Sequence, residues 1–380
     1  MTDISIKDSI IVMKFGGTSV QTEKSRQHVI KHIRRNVESG KKVVVVVSAM
    51  GRKGDPYATD TLISMLKDVG EPVNPAELDS VMSIGERLSS AYFSHLLTMK
   101  GIPAAAFTGG QAGILTDDNP GNAEILEVNA HRIREAMSEG KTAVVSGFQG
   151  VTSEGDVRTL GRGGSDTSAV ALGSSLGAEV VEIYSDIDGI ANCDPRQIPE
   201  ADFMDSVSVT QILSMADEGS KVIHPRAVKA SLKTKTKIIV RNTFNEQSGT
   251  IIFHNAPDQQ SDQVALAHRD ELCLIEFDKK TDALKTIPEL IQFDDQKFLL
   301  KNDVYLKSRI KELQKKFGTL KKEQDWATIS VVFDKPVPEI KDIQDAKKMQ
   351  SSNNTVCYLL KEFDLSASMR TLYDHYVRTL

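Results

Sequence analysis

The chain has 380 residues and a formal net charge of −5, enough length for two hydrophobic cores. Its lysines and arginines are scattered rather than clustered, which argues against nucleic acid or an anionic membrane and leaves a small molecule as the expected partner. Cys193, Cys273 and Cys357 lie far apart with no CxxC pair and no zinc spacing, so a reduced, cytoplasmic location is expected.

The start, "MTDISIKDSI", has neither the basic residues nor the apolar stretch of a secretory signal. No window offers the roughly 20 apolar residues needed to cross a bilayer. "SIIVM" then reads as a buried strand, and the "MKFGGTSV" that overlaps its end raises a choice. Lys14 is either the cation of a phosphate-binding loop or a residue beside an ordinary turn. Gly16 and Gly17 permit successive backbone N–H groups to point at an anion.

From Ser9 to about Phe253, apolar strands alternate with helical patterns: "SRQHVIKHIRRNVES", "KKVVVVVSAM", "AEILEVNAHRIREAMSEG", "TAVVSGFQG", "SDTSAVALGSSLGA" and "VVEIYSD". Strands that are apolar throughout imply an α/β fold with a mostly parallel sheet covered by helices on both faces. Ligands of such sheets sit in the loops beyond the carboxyl ends of the strands. The polar "APDQQSDQ" reads as a linker, dividing the chain into 1–255, a linker at 256–263, and 264–380. Beyond it, "ELCLIEF", "WATISVVF" and "TVCYLLKEF" read as strands, and "TDALKTIPELIQ" and "YLKSRIKELQKKFG" as helices. Met369, Leu372, Tyr373, Tyr376 and Leu380 form a helical stripe expected to serve packing.

Five stretches carry candidate chemistry. "SAMGRKGDPYATDTL", with Ser48, Gly51, Thr59 and Asp60, is equally a solvated loop or a binding lid. In "VMSIGERLSSAYFSHLL", Ser83 and Glu86 have capping-box spacing; Glu86 could instead bind an ammonium, and the spacing favours the cap. "VRTLGRGGSDTSAVALG" packs Arg162, Gly163, Gly164, Ser165 and Asp166 into five residues before a helix, more than an N-cap requires, which favours an anion site. "YSDIDGIANCDPR" supplies Ser185 and Asp186, or else an Asx-rich turn, and it lacks an EF-hand's spacing. In "EGSKVIHPRAV", Lys221 precedes His224, read as structural, and Pro225 is placed to open a helix. Neither a P-loop nor a GxGxxG loop is present. Several glycine loops with Lys14, Arg162 and Lys221 as cations suit phosphoryl transfer, which depends on positioning and charge neutralisation.

Taken in order, "KFGGTSV", "VVVVVSAMG", "SIGERLS", "GFQG", "TLGRGGSDTSA", "SDIDGIANCDPR", "KVIHPRAV" and "VRNTFNEQSGTII" resemble the aspartokinases of the amino-acid kinase family, Bacillus-type members above all. The resemblance spans about Ile10 to Ile252. It implies transfer of phosphate from ATP to the β-carboxylate of L-aspartate, the first step toward lysine, methionine and threonine. It implies that Lys14 neutralises the phosphoryl group in transit and that Gly16, Gly17, Thr18 and Ser19 bracket the ATP phosphates. Ser48, Thr59, Glu86, Phe148, Arg162, Ser165 and Asp166 would surround aspartate, with Asp166 orienting the reacting groups. Ser185, Asp186, Arg196, Lys221 and Pro225 would form the nucleotide side. Mg2+ would ride on ATP oxygens and water, so no protein metal cage is expected.

Ser185 and Ala191 depart from the Thr and Tyr common in the family, and the absent ring removes a stacking surface. The tail resembles a degenerate ACT-like regulatory domain, a smaller α+β unit, which implies a homodimer or larger assembly and a possible amino-acid effector. The glycine-rich effector loop is replaced by "DKKTDAL". Two alternatives stand beside the kinase reading: a non-catalytic regulatory paralogue, and a kinase for a related amino acid.

Overall fold

A computed structural model describes residues 9–51, 54–220, 223–254, 263–278, 282–287, 290–302, 306–337 and 346–378. The chain divides into two compact units, the first Met1–Ile190, Phe203–Val209 and Val222–Asn255, the second Ala191–Asp202, Thr210–Lys221 and Ala256–Leu380. The second unit therefore takes two short pieces from within the kinase-like stretch. The expected linker lies outside the described residues except for Gln263.

The first unit opens with β1 (Ile10–Phe15), α1 (Gly17–Val20), α2 (Glu23–Glu38) and β2 (Lys42–Val47). Then come α3 (Thr59–Val69), α4 (Pro75–Met82), α5 (Ile84–Met99), β3 (Ala104–Phe107), β4 (Ile114–Thr116) and β5 (Ile125–Val128). The chain continues through α6 (His131–Ser138), β6 (Thr142–Ser146), β7 (Gln149–Val151), β8 (Val157–Thr159), α7 (Gly164–Leu176), β9 (Val180–Ser185) and β10 (Ser206–Ser208). Last in this unit are α9 (Pro225–Ser231), β11 (Lys237–Asn242) and β12 (Thr250–Phe253); α8 (Val209–Asp217), between β10 and α9 in the chain, belongs to the second unit from Thr210 onward.

Eight strands form one sheet in the order β10-β12-β11-β9-β1-β2-β6-β3, parallel except where β12 runs against β11. Phe15 registers with Val47 and with Tyr184, and Val47 with Ser146, so β1, β2, β6 and β9 end on one edge. The α/β class is as expected, and its physical cause is the valine-rich strands buried on both sides. Ile11, Met13 and Phe15 pack with Val29 and Ile33 of α2 and with Phe93 and Leu97 of α5. On the other side α7 approaches so closely that a Cβ on Gly173 would lie 2.4 Å from Val181 Cγ2 and 3.6 Å from Val12 Cγ2. Thr22 caps α2, its hydroxyl accepting from the Ser25 N–H at 3.0 Å. "AEILEVNAHRIREAMSEG" is not one helical pattern. Its first part is β5, which joins β4, β7 and β8 in a small second sheet.

The second unit contains β13 (Val264–Phe277), a 3-10 turn (Asp282–Thr286), β14 (Ile291–Gln292), β15 (Lys297–Lys301), α10 (Leu306–Phe317), β16 (Leu320–Phe333), β17 (Lys347–Ser352), β18 (Thr355–Lys361) and α11 (Leu365–Leu372). Its sheet is antiparallel, in the order β14-β15-β13-β16-β18-β17. The first four strands have the order of a split βαββαβ unit. The helix expected over "TDALKTIPELIQ" is reduced to the 3-10 turn followed by β14, with Pro288 and Glu289 outside the described residues. Met369, Leu372, Tyr373 and Tyr376 pack on Val264, Leu266, Ile329 and Tyr358, so the stripe forms core; Leu380 lies outside the described residues. All three cysteines are buried free thiols, and no helix among the described residues is long and apolar enough to cross a membrane.

Phe93 is fully buried, whereas Leu126 on β5 is 64% exposed. Phe93→Ala should lower the stability of this unit by about 3–5 kcal/mol. Leu126→Ala should stay within about 0.5 kcal/mol of the parent. Urea unfolding of both variants measures the contrast.

Candidate active site

The site is built where β1, β2, β6 and β9 end. Lys14, the fifth residue of β1, reaches Asp166 on the first turn of α7, with 2.6 Å between Nζ and Oδ1 and both side chains mostly buried. The helix N-terminus favours a carboxylate there. Asp166 is therefore not the helix cap. That position belongs to Gly163, which is left-handed (φ 70) and makes no side-chain cap bond. A Cβ on Gly163 would fall 2.1 Å from His224 Cβ, so only glycine fits between the turn and the residue that caps α9. His224 Nδ1 accepts from the Arg226 N–H at 3.4 Å and Pro225 opens the helix, matching the structural reading of both. Burial lowers the His224 pKa, as do the Arg226 and Arg162 charges, with Asp166 opposing.

Lys14, Ser48, Met82, Gly121, Phe148, Gly161, Arg162, Gly164 and Asp166 line, with their neighbours Gly163 and Ser165, a cleft of about 540 Å³. Ser48 Oγ donates to Ser165 Oγ at 3.1 Å, joining the end of β2 to the start of α7. Phe148 has φ 69, a left-handed conformation that a residue bearing a ring adopts only when its surroundings hold it. Its N–H donates to Ser168 Oγ at 3.1 Å and its carbonyl accepts from Leu160 N–H at 2.9 Å, which fixes the peptide. Met82, Gly121 and Gly161 carry no chemical signal in the sequence beyond turn propensity, because they contribute shape and backbone.

The glycine turn after β1 is tied to β9 through Gly16 N–H and the Tyr184 carbonyl at 3.2 Å. Gly17 and Thr18 follow in the short turn α1. Ser19 is different. It is fully buried, its hydroxyl 2.7 Å from Thr243 Oγ1, so the side chain faces the core rather than a ligand. Ser185 ends β9 and its hydroxyl accepts from Ile187 N–H at 3.4 Å, while Asp186 is exposed. Arg196 and Ala191 belong to the second unit, where Asp194 pairs with the Arg196 guanidinium at 2.6 Å and Ala191 is buried. Lys221 lies outside the described residues.

Glu86 corrects the capping-box expectation. Ser83 makes no cap bond to α5, its hydroxyl donating instead to the Ser80 carbonyl at 2.7 Å. Glu86 Oε1 accepts from the Ala49 N–H at 3.1 Å, beside Ser48, while Oε2 is buried without a partner. The backbone after β2 outcompetes the cap because α5 packs so tightly there that a Cβ on Gly85 would meet Ala49 Cβ at 2.7 Å and Thr59 Oγ1 at 3.3 Å. Thr59 begins α3, next to this contact. Burial pushes the Glu86 carboxyl up to about 7, against the opposing pull of the Ala49 N–H. An unpartnered, buried carboxyl oxygen is suited to an incoming cation. Among the described residues no group of three or more His, Cys, Asp or Glu side chains is placed to hold a metal ion.

Residues 9–242 match the model of the amino acid kinase family. The chain belongs to the amino acid kinase family. Aspartokinase 1 of Bacillus subtilis is 46% identical over 243 residues, covering 64% of this chain and 60% of that protein. The aspartokinase of Geobacillus stearothermophilus is 42% identical over 251 residues, covering 66% and 60%. The chain thus spans about 60% of the length of these curated relatives. In fold it is similar to E. coli aspartokinase III, solved with aspartate and ADP, with a TM-score of 0.78 at 20% identity over 96% of this chain and 99% of that one.

Because folding raises the Glu86 pKa from 4.5 to about 7, the folded state holds the proton more tightly, and stability falls as pH rises through that window. Between pH 4.5 and about 7 the wild type should lose on the order of 3 kcal/mol relative to Glu86→Gln, which has no proton to release. Urea unfolding of both chains across the window reads this difference. Parallel curves would contradict it.

Proposed function

We propose that the chain is an ATP-dependent aspartate kinase. The β-carboxylate of L-aspartate attacks the γ-phosphorus of ATP, an O–P bond forms, the bond to the β-phosphate oxygen breaks, and ADP leaves. The single observation that carries this reading is the cleft in which Lys14, Arg162, Ser165 and Asp166 converge at the strand ends. The similarity to aspartokinases over the same residues supports it.

Each residue then has a physical task. Lys14 neutralises charge on the phosphoryl group as it passes between carboxylate and ADP, and Asp166 holds that ammonium in place. Gly17 and Thr18 offer backbone N–H groups to the ATP phosphates, while the Gly16 N–H is held by the Tyr184 carbonyl and Gly16 contributes close backbone approach; Ser19 contributes packing, not its hydroxyl. Arg162 presents a planar fork to a substrate carboxylate. Glu86 takes the substrate ammonium on its free oxygen, with Ser48, Thr59, Phe148 and Ser165 around the remainder. Ser185, Asp186 and Pro225, all of the first unit, form the nucleotide side.

The acceptor carboxylate is ionised at neutral pH, so the reaction needs no strong general base. Magnesium supplies charge neutralisation to the triphosphate. The donor set suits a metal carried by the nucleotide, because the Asp166 carboxylate already engages Lys14. Three buried thiols suit the reducing cytoplasm.

With ATP, Mg2+, aspartate and hydroxylamine the folded chain should form aspartyl hydroxamate, and Lys14→Ala should lower kcat by about 10²–10³. Folded protein that binds ATP yet yields no hydroxamate would overturn the activity. Binding of the substrate ammonium should release the Glu86 proton, so KM for aspartate should fall as pH rises through about 7. A KM that stays flat across that range would remove Glu86 from the ammonium site.

A further inference from the structure

Asp79, on α4, is fully buried and belongs to no role assigned above. Its carboxylate collects four contacts from two separate stretches of chain. The Gly121 N–H lies 3.0 Å from both oxygens, the Thr159 N–H 3.2 Å from Oδ2, and the Thr159 hydroxyl 2.5 Å from Oδ1. A buried carboxylate is costly unless its lone pairs are met by donors, and here N–H and O–H groups meet them.

Both stretches wall the cleft. Gly121 lines it directly; Thr159 ends β8, two residues before Gly161 and three before Arg162, which also line it. The two loops abut, since a Cβ on Gly161 would lie 3.0 Å from the Gly121 carbonyl oxygen and 3.2 Å from Asn122 Oδ1. The Ala123 N–H also donates to the Thr159 carbonyl at 3.0 Å. One charged group thus pins the strand that delivers Arg162 to the loop that faces it. The ties on the phosphate side, Lys14 to Asp166 and Gly16 to Tyr184, run through other elements.

We propose that Asp79 is a positioning residue for the acidic substrate. It fixes the end of β8 against the Gly121 loop and thereby sets where the Arg162 guanidinium meets the substrate carboxylate. This rests on the reading that Arg162 binds that carboxylate, so the test includes Arg162 itself.

In Asp79→Asn the side-chain volume is kept, but an NH2 replaces one acceptor and faces N–H and O–H donors. Steady-state kinetics should show KM for aspartate raised about tenfold or more, with KM for ATP unchanged. Thr159→Val, which deletes only the hydroxyl contact, should shift KM in the same direction by less, and it serves if Asp79→Asn does not fold. In the Arg162→Ala background the Asp79 or Thr159 substitution should add little further, because it acts through the missing guanidinium. Two results overturn the positioning role: aspartate KM unchanged in both variants while Arg162→Ala raises it, or effects that simply add in the double variants. If Arg162→Ala leaves aspartate KM unchanged, the reading of Arg162 fails and the proposal falls with it.

Discussion

The ion pair between Lys14 and Asp166 is the contact around which the first unit's working edge is arranged. It joins the end of a central parallel strand to the first turn of α7, and at 2.6 Å, largely shielded from water, neither charge can be removed without stranding the other. The pair forms only because β1 ends on the same edge as β2 and because the Gly163 turn brings α7 in beneath His224. Ser48 meeting Ser165, and Phe148 held in a left-handed conformation, follow from the same convergence.

The second unit solves a different packing problem. Its two 14-residue strands pair along their length, with register shifts between Arg269 and Leu272, where Glu271 has φ 52, and between Leu272 and Leu274. Val264 and Leu266 pack with α11, whereas Cys273, Ile275 and Phe277 pack with α10. One long strand thereby serves two cores.

Residues whose chemistry and periodicity agree were legible in the sequence. The valine runs announce a sheet buried on both faces, and the compressed "GRGGSD" marks a turn that lines the cleft, because both are local patterns with one economical explanation. Glu86 was not legible as a loop anchor. Capping-box spacing is a local signal, and the Ala49 N–H that prevails over it arrives from 37 residues away. Ser19 looked like its glycine-loop neighbours, yet a partner at Thr243, distant in sequence, turns its hydroxyl inward. Asp79 carries no local signal for the same reason, since its partners come from two other stretches. The small second sheet and the shortened helix after β13 escaped because short apolar runs do not distinguish strand from helix.

In the proposed reaction the phosphoryl group passes from ATP to aspartate directly past Lys14. A crystal structure of the chain with Mg2+, aspartate and a non-hydrolysable ATP analogue tests it. The terminal phosphate should lie within hydrogen-bond distance of Lys14 Nζ, with the aspartate carboxylate on Arg162 and its ammonium on Glu86. Both ligands ordered in the crystal with the terminal phosphate away from Lys14, or aspartate bound outside the cleft, would contradict it.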